Sequence, residues 1–268
     1  MTLIPFFQVD AFAAAPFEGN PAAVMPLTEW LPDITLQAIA AENNLSETAF
    51  AVPAADGSEA DYDLRWFTPT VEIDLCGHAT LASGHILMSG QRIRFATRSG
   101  VLMVERRDGL LHLDLPAYAV EPGVEPGLLD ALGLPAGTET FLGRGGNGAA
   151  IALLADEAAV RAVAPDFAAL RTIDRLVIVT APGRDTAIAS RVFAAYHGID
   201  EDPVTGSAHA ALVPFWAARL GRTHFTALQA SKRSGHLDCE LRGVPGDEQG
   251  RVILGGQCVT VIEGNFQL

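Results

Sequence analysis

The segment CGHATLA, residues 76–82, decides the fold prediction, because it opens a helix without a polar face. This helix is expected to end near Gly90. Between residues 78 and 88 nearly every side chain is apolar or small, whereas a surface helix carries only one apolar stripe. We therefore expect other elements to enclose this helix on all sides.

A second helix of the same kind opens at TGSA, residues 205–208, and is predicted to run to Leu220 and to stop at Gly221. Pro214 lies inside it, where a proline bends a helix or removes one backbone hydrogen bond. A further helix is expected at 33–43, with Asp33 as its N-cap. Strands are predicted at 4–12, 22–26, 48–52, 61–67, 91–97, 101–105, 110–115, 149–154, 176–179, 189–195, 223–230, 236–241, 251–254 and 257–262.

These patterns predict an α+β fold of two pseudo-symmetric halves. The stretch 116–126 holds three prolines and is predicted to link residues 1–117 to residues 126–268. The last strand can pack back on the first half. A curved, β-barrel-like sheet around each central helix is the simplest enclosure in a chain so rich in strands. The alternative, two ordinary buried helices on separate sheets, also gives an α+β class.

Composition and charge exclude several classes of protein. Hydrophobic residues make up 49% of the 268 residues and charged residues 19%, which is typical of a globular protein with a packed core. No apolar run is long enough to cross a bilayer, and residues 1–10 lack the features of a signal peptide, so a cytoplasmic location is predicted. The net charge of -14 argues against a nucleic-acid partner but allows a small anionic substrate. Three widely spaced cysteines indicate a reducing compartment.

The strongest local signal for a ligand is DEDPVTGSA, residues 200–208. The N–H groups of Gly206, Ser207 and Ala208 fall at a helix start, where they lack intrahelical partners and attract a carboxylate. The alternative is that Asp202 or Thr205 merely caps the helix, and this segment alone leaves both readings open.

A second glycine-opened helix start, at Gly77-His78-Ala79, shifts the balance towards an anion site. His78 can donate to a substrate oxygen or transfer a proton, or it can be a simple residue of the helix start. Cys76 can be a thiolate acidified by the helix or an inert apolar residue. Glu47 precedes an apolar strand, and a carboxylate in such surroundings suits a general base, although most turn glutamates are only exposed.

Three competing motifs are set aside. The run GRGGNG at 143–148 matches a dinucleotide fingerprint, but a strand-like run follows it instead of a helix. Ser207, His78 and Asp202 lack the elbow motif of a hydrolase. Cys76, His78 and His85 have no evident fourth metal ligand, so no metal is predicted.

Taken together, several separated segments resemble the PhzF-like family of phenazine-biosynthesis isomerases. These segments are VDAF at 9–12, FEGNPAAV at 17–24, NLSETAF at 44–50, RWFTP at 65–69, CGHAT at 76–80, RVF at 191–193 and EDPVTGSA at 201–208. The resemblance runs over almost the whole chain, and the order of the segments makes it far more specific than any one of them.

The resemblance implies the diaminopimelate epimerase-like fold, with the site in the cleft between the halves. It implies a homodimer and an isomerase that needs neither metal nor organic cofactor. Glu47 corresponds to the family's acid/base residue, and His78, Asp202 and Ser207 correspond to residues that line the site. The implied binding residues for a small carboxylate substrate are Asn20, Gly77, Ala79, Gly206 and Ala208.

Cys76 departs from the motif of the phenazine enzyme, which shifts a hydrogen on a dihydro-hydroxyanthranilate, so that substrate is not carried over to this chain. Diaminopimelate epimerase uses one cysteine in each half, and the second position here falls in Thr205-Gly206-Ser207, without a thiol. A two-cysteine epimerase is therefore disfavoured. An amino-acid racemase that uses Glu47 with Cys76, and a binder of small carboxylates without catalysis, stay open as alternatives.

Overall fold

A computed structural model describes residues 2–145, 148–245 and 250–268. The chain divides into two compact units, one formed by Met1–Asp114 with Gly255–Leu268 and the other by Leu115–Leu254. Within the described residues, no helix combines the length and the hydropathy that a membrane crossing requires. The boundary predicted between 117 and 126 stays a prediction.

In chain order the elements are β1 (Leu3–Ala11), β2 (Asn20–Pro26), α1 (Asp33–Asn43), β3 (Glu47–Pro53), β4 (Tyr62–Phe67), β5 (Glu72–Ile73), α2 (Gly77–Leu87), β6 (Arg92–Thr97), β7 (Gly100–Arg107), β8 (Leu110–Pro116), β9 (Val120–Pro122), α3 (Leu128–Leu132), β10 (Thr140–Gly143), β11 (Ala149–Leu153), α4 (Glu157–Ala162), α5 (Phe167–Leu170), β12 (Leu176–Pro182), β13 (Ile188–Ala194), β14 (Ile199–Asp202), α6 (Gly206–Leu220), β15 (His224–Gln229), β16 (Gly235–Arg242), β17 (Arg251–Gly256) and β18 (Cys258–Gln267). A short 3₁₀ turn, Ala195–His197, follows β13.

The first unit is a mixed sheet that surrounds α2. β1 lies between β2 and β18 and pairs antiparallel with both. β2 and β3 pair in parallel, as do β4 and β6, and the other neighbours are antiparallel. α2 contacts β1, β2, β3, β6, β7 and β18. Its residues from Gly77 to Gly84 are all buried, so the predicted enclosure of this helix is confirmed.

The second unit repeats this order of connections around α6. β11 and β12 pair in parallel, as do β13 and β15, and antiparallel pairs join β12 to β13 and β15 to β16. α6 is buried at Gly206 and from Ala208 to Ala217. In each unit the helix connects a parallel pair of strands, which need a crossover instead of a hairpin. The α+β class predicted from the sequence is confirmed.

Pro214 does not interrupt α6, which runs from Gly206 to Leu220 and ends at Gly221 in the left-handed conformation. Proline has no N–H for the carbonyl one turn earlier, which belongs to Ala210. The backbone N–H of Tyr118 donates to that carbonyl at 2.9 Å. Because a group outside the helix satisfies the oxygen, α6 keeps its course through the proline.

One local prediction was wrong. α1 has Pro32 as its N-cap, and Asp33 is the first helical residue, whose carboxylate pairs with Arg65 at 2.9 Å. The proline-rich stretch 116–126 contains β9, which pairs with β10. In the glycine-rich run at 143–148, Gly146 and Asn147 lie outside the described residues, and β11 follows the run as a strand.

Candidate functional site

A carboxyl and an imidazole meet inside the first unit. Glu47 is the first residue of β3, and His78 is the second residue of α2. Glu47 Oε2 lies 3.0 Å from His78 Nε2, and the two residues are only 7% and 3% exposed. The contact joins two buried groups that carry opposite charges when His78 is protonated.

The opposite nitrogen of the ring is also engaged. Asn20, the first residue of β2, places its Nδ2 3.1 Å from His78 Nδ1, and Cys76 Sγ lies 3.6 Å from the same nitrogen. When the Asn20 amide donates to Nδ1, the neutral ring carries its proton on Nε2, facing Glu47. Asn20 therefore orients the neutral imidazole, and in the protonated ring, where Nδ1 becomes a donor, the amide has to turn its oxygen to Nδ1.

The electrostatics of this cluster raise the pKa values of both His78 and Cys76. Burial lowers the pKa of His78, but the charge of Glu47 beside the ring opposes burial and holds this pKa above its usual range. Burial, and after it the charge of Glu47, raises the pKa of the Cys76 thiol. Of the two readings of Cys76, these surroundings favour the neutral thiol, because a buried thiolate would face a carboxylate.

Glu47, Cys76 and His78 also offer one metal-ligand atom each within 4.8 Å of one another. The imidazole lies between the other two groups and turns a different nitrogen to each of them.

Both helix starts are built in the same way. Their N-caps, Cys76 and Thr205, have extended backbones, and neither caps the helix through its side chain. A side chain of the first turn donates to the N-cap carbonyl in each case. Thr80 Oγ1 does so to Cys76, and His209 Nδ1 does so to Thr205 at 2.8 Å. The Thr205 side chain therefore leaves the first N–H groups of α6 without a side-chain cap, whereas the Ala79 N–H of α2 lies against the Cys76 thiol.

In the second unit, the predicted Asp202 lies in a network of buried polar groups. The hydroxyl of Thr205 donates to the Asp202 carboxylate instead of capping α6. Gln229 Nε2 donates to the Asp202 carbonyl at 2.7 Å, and Gln229 Oε1 accepts from the Thr205 N–H at 2.9 Å. Ser231 Oγ donates to the Pro203 carbonyl at 2.8 Å. The sequence reasoning missed Gln229 and Ser231, because they reach this turn only through tertiary contact.

An arginine–glutamate ion pair lies in the segment that precedes each of the helices α2 and α6. Arg65 binds both oxygens of Glu72 at 2.7 Å. Arg191 binds those of Glu201 at 2.7 and 2.9 Å. Each glutamate precedes its helix by the same number of residues. Each guanidinium also lies over the ring of the phenylalanine two positions further along its strand. The guanidinium carbon of Arg65 is 5.1 Å from the ring centre of Phe67, and that of Arg191 is 5.0 Å from the ring centre of Phe193. Such bidentate pairs fix geometry as well as charge.

The structure thus brings some predicted residues into contact and places the others at helix starts. Glu47, His78 and Asn20 form one buried cluster with Cys76. Asp202 contacts Thr205 at the start of α6. The remaining predicted residues occupy the first turns of α2 and α6: Gly77, Ala79, Gly206, Ser207 and Ala208. The roles of all these residues stay predictions.

His209 makes the stability of the second unit depend on pH. Burial lowers its pKa to about 4, against an ordinary value of 6.5. Between pH 6.5 and 4, His209 is protonated in the unfolded chain but neutral in the folded chain. The free energy of unfolding therefore decreases as the pH is lowered through this range. At about 1.4 kcal/mol per pH unit, the loss between pH 7 and pH 5 is about 2 kcal/mol.

Urea denaturation of the wild type and of His209→Gln at both pH values measures this effect. The variant has no titrating group at position 209. Between pH 7 and pH 5 its free energy of unfolding is therefore expected to fall by about 2 kcal/mol less than that of the wild type. An equal fall in both proteins would show that His209 is not the source.

Comparisons with known proteins agree with this architecture. A family model described as phenazine biosynthesis-like protein matches residues 9–264. An uncharacterized isomerase of Pseudomonas aeruginosa is 47% identical over 99% of both chains.

Among solved structures, a phenazine biosynthesis protein of the PhzF family from Enterococcus faecalis superposes with a TM-score of 0.88 at 42% identity, over 100% of both chains. A probable proline racemase from Agrobacterium radiobacter gives a TM-score of 0.65 at 16% identity, over 99% of this chain and 92% of that one. At that identity the likeness shows the fold alone. The comparisons confirm the predicted fold.

Proposed function

The chain belongs to the phenazine biosynthesis-like family, and we propose that it is a cofactor-independent isomerase that moves a proton on a small carboxylate. The observation that carries this proposal is the buried contact between Glu47 Oε2 and His78 Nε2 at 3.0 Å. A carboxylate held beside an imidazole away from water can take a proton from carbon and return it.

In the proposed reaction Glu47 removes the proton from a carbon of the substrate. The negative charge that develops on the substrate is stabilised by hydrogen-bond donors that are already oriented. We assign this role to the protonated His78, whose pKa the charge of Glu47 holds above the usual range. Glu47 then returns the proton to another carbon of the same molecule.

The substrate carboxylate is proposed to bind the N–H groups at the starts of α2 and α6. Support comes from α6, whose N-cap leaves the first turn without a side-chain cap. In this proposal Asp202 and Ser207 contribute to the same carboxylate site. Homodimer formation and a cytoplasmic location stay predictions beside it.

A proton NMR screen in deuterated buffer tests the proposal. Cyclic and acyclic amino and hydroxy acids are incubated with the protein, and loss of a carbon-bound proton signal reports exchange. At least one of them is expected to exchange, at the same rate after dialysis against a chelator. Saturation-transfer signals for a compound that never exchanges would instead support the binder without catalysis.

The alternative enzyme is a racemase or epimerase in which Cys76 is a second acid/base group. It is favoured by the 3.6 Å between Cys76 Sγ and His78 Nδ1. Because burial keeps the thiol neutral, we expect Cys76→Ala to keep the exchange rate of a compound found in the screen within about threefold. If Cys76→Ala lowered the exchange rate a hundredfold or more, and Cys76→Ser did not restore it, the racemase would be favoured.

A further inference from the structure

The indole N–H of Trp66 is a buried hydrogen-bond donor that the described part of the chain leaves without a partner. Trp66 is 1% exposed and is the largest of the fully buried side chains in these residues. A buried tryptophan N–H usually has a partner, because a donor taken out of water without one destabilises the fold. The unpartnered donor of Trp66 therefore needs an explanation.

Trp216 shows how the second unit treats the same group. It lies in α6, is 4% exposed, and its Nε1 donates to Thr180 Oγ1 at 3.0 Å. Within the described residues, the chain thus supplies an acceptor to one buried indole and none to the other. The place of Trp66 in the first unit indicates the reason.

The strand pattern places Trp66 on the inner face of the first sheet. In β3, Phe50 packs in a core cluster with residues of α1. Successive side chains of a strand point to opposite faces, so Glu47 and Ala49 point to the other face. The contact of Glu47 with His78 shows that this other face is turned towards α2. Trp66 is the cross-strand partner of Ala49 and shares that face.

The strand register also brings Trp66 next to Glu47. Trp66 lies directly opposite Ala49 in the antiparallel pair of β3 and β4, and Glu47 is two residues before Ala49. Glu47 and Trp66 are therefore diagonal neighbours about 7–8 Å apart, a separation that an aromatic side chain spans. Since Glu47 is itself only 7% exposed, a substrate that reaches its carboxylate enters the interior that Trp66 faces.

We infer that the indole N–H of Trp66 donates a hydrogen bond to a second oxygen of the small carboxylate on which the enzyme acts. The inference rests on the proposed function, which places the substrate carboxylate at the helix starts and the reacting carbon at Glu47. The second oxygen is a carbonyl or hydroxyl oxygen near that carbon, where negative charge develops when the proton leaves. Trp66 thus selects oxo and hydroxy acids, because an alkyl group in the same place would leave the N–H without an acceptor.

Matched probes test this donor by binding alone. Pyruvate and lactate have the same number of heavy atoms as isobutyrate, and they carry an oxygen where isobutyrate has a methyl group. Levulinate and 4-methylpentanoate form the corresponding pair with a longer spacing. In at least one of these sets, we expect an oxygen-bearing probe to bind the full chain about tenfold more tightly than its alkyl counterpart. Titration calorimetry measures the affinities.

The indole signals report the hydrogen bond directly. The chain has three tryptophans, so a protein labelled with ¹⁵N gives three indole N–H signals in an NMR spectrum. Trp30→Phe and Trp216→Phe each remove one signal, and the signal that remains in both belongs to Trp66. We expect this signal to move downfield when the preferred probe binds, because its N–H gains an acceptor.

Two variants separate the donor from the ring that carries it. Trp66→Phe keeps an aromatic side chain but removes the N–H, and it is expected to abolish the preference for the oxygen-bearing probe. Trp216→Phe is the matched control, because it removes an N–H that already donates to Thr180, and it is expected to keep the preference. If Trp66→Phe does not fold, the shift of the wild-type indole signal still tests the donor.

No binding of any probe, equal affinities within both sets, an unmoved Trp66 signal, or a preference that survives in Trp66→Phe would overturn this role of Trp66. The proposed isomerase fails by a different result, the absence of proton exchange. A preference and a moved indole signal without exchange would therefore keep the Trp66 donor and remove the reaction. Exchange together with equal affinities would do the reverse.

Discussion

Replacing Glu47 by glutamine is expected to lower the substrate-dependent incorporation of solvent deuterium at carbon by at least about a hundredfold. Glutamine matches the shape of the side chain but cannot accept a proton. Its amide leaves the contact with His78 free of a negative charge, so His78 loses one of the groups that raise its pKa. The affinity for the compound that exchanges fastest is expected to survive, because the helix starts are untouched.

Glu157→Gln is the matched control for this experiment. Glu157 is another buried glutamate, 8% exposed, but it pairs with Arg161 at 2.8 Å and lies in α4, outside the Glu47 cluster. Its replacement is expected to change the exchange rate by less than about twofold while costing some stability. If Glu47→Gln exchanged as fast as this control, Glu47 would not be the acid/base residue.

Gly19→Ala is expected to lower the free energy of unfolding by more than about 3 kcal/mol. Gly19 adopts the left-handed conformation, with φ at +63°, directly before Asn20. A Cβ here would lie 2.1 Å from the carbonyl oxygen of Ala11, a backbone atom of β1 that cannot move aside without breaking the pairing with β2. Because Asn20 orients His78, exchange activity is expected to fall together with stability.

Gly57→Ala separates the two causes of that loss. Gly57 is also left-handed, with φ at +85°, but its Cβ would meet nothing within 4 Å. Only the cost of the backbone conformation remains there, about 1 kcal/mol. Urea denaturation of the two variants measures the difference, and equal losses would show that the close approach to Ala11 does not matter.

Much of the fold could be predicted from the sequence because its strongest signals are local. The apolar, glycine-opened helices at 77–87 and 206–220 and the main strands follow from periodicity and turn residues. Short elements were missed, namely β5, β9, β10, β14 and the helices α3, α4 and α5. They are too short to show a period, and β9 and β10 form mainly because each pairs with the other.

The candidate site was predicted unevenly, for a reason that Gln229 illustrates. Glu47, His78 and Asn20 were expected from a resemblance of motifs, and the structure gives their contacts. Gln229 is the last residue of a strand with no special pattern around it, yet it holds the turn between Asp202 and Thr205. A polar residue that acts through a tertiary contact produces no recognisable pattern in the sequence around it.

The glycine-opened helix at CGHATLA shows what each level decides. By itself the sequence determined the two enclosed helices and the α+β class, because these depend on side-chain period and local backbone chemistry. Only the tertiary structure decided that His78 lies between Glu47 and Cys76, and that Trp66 shares a face of the sheet with Glu47. Strand register fixes these relations, and register is a property of paired segments far apart in the chain.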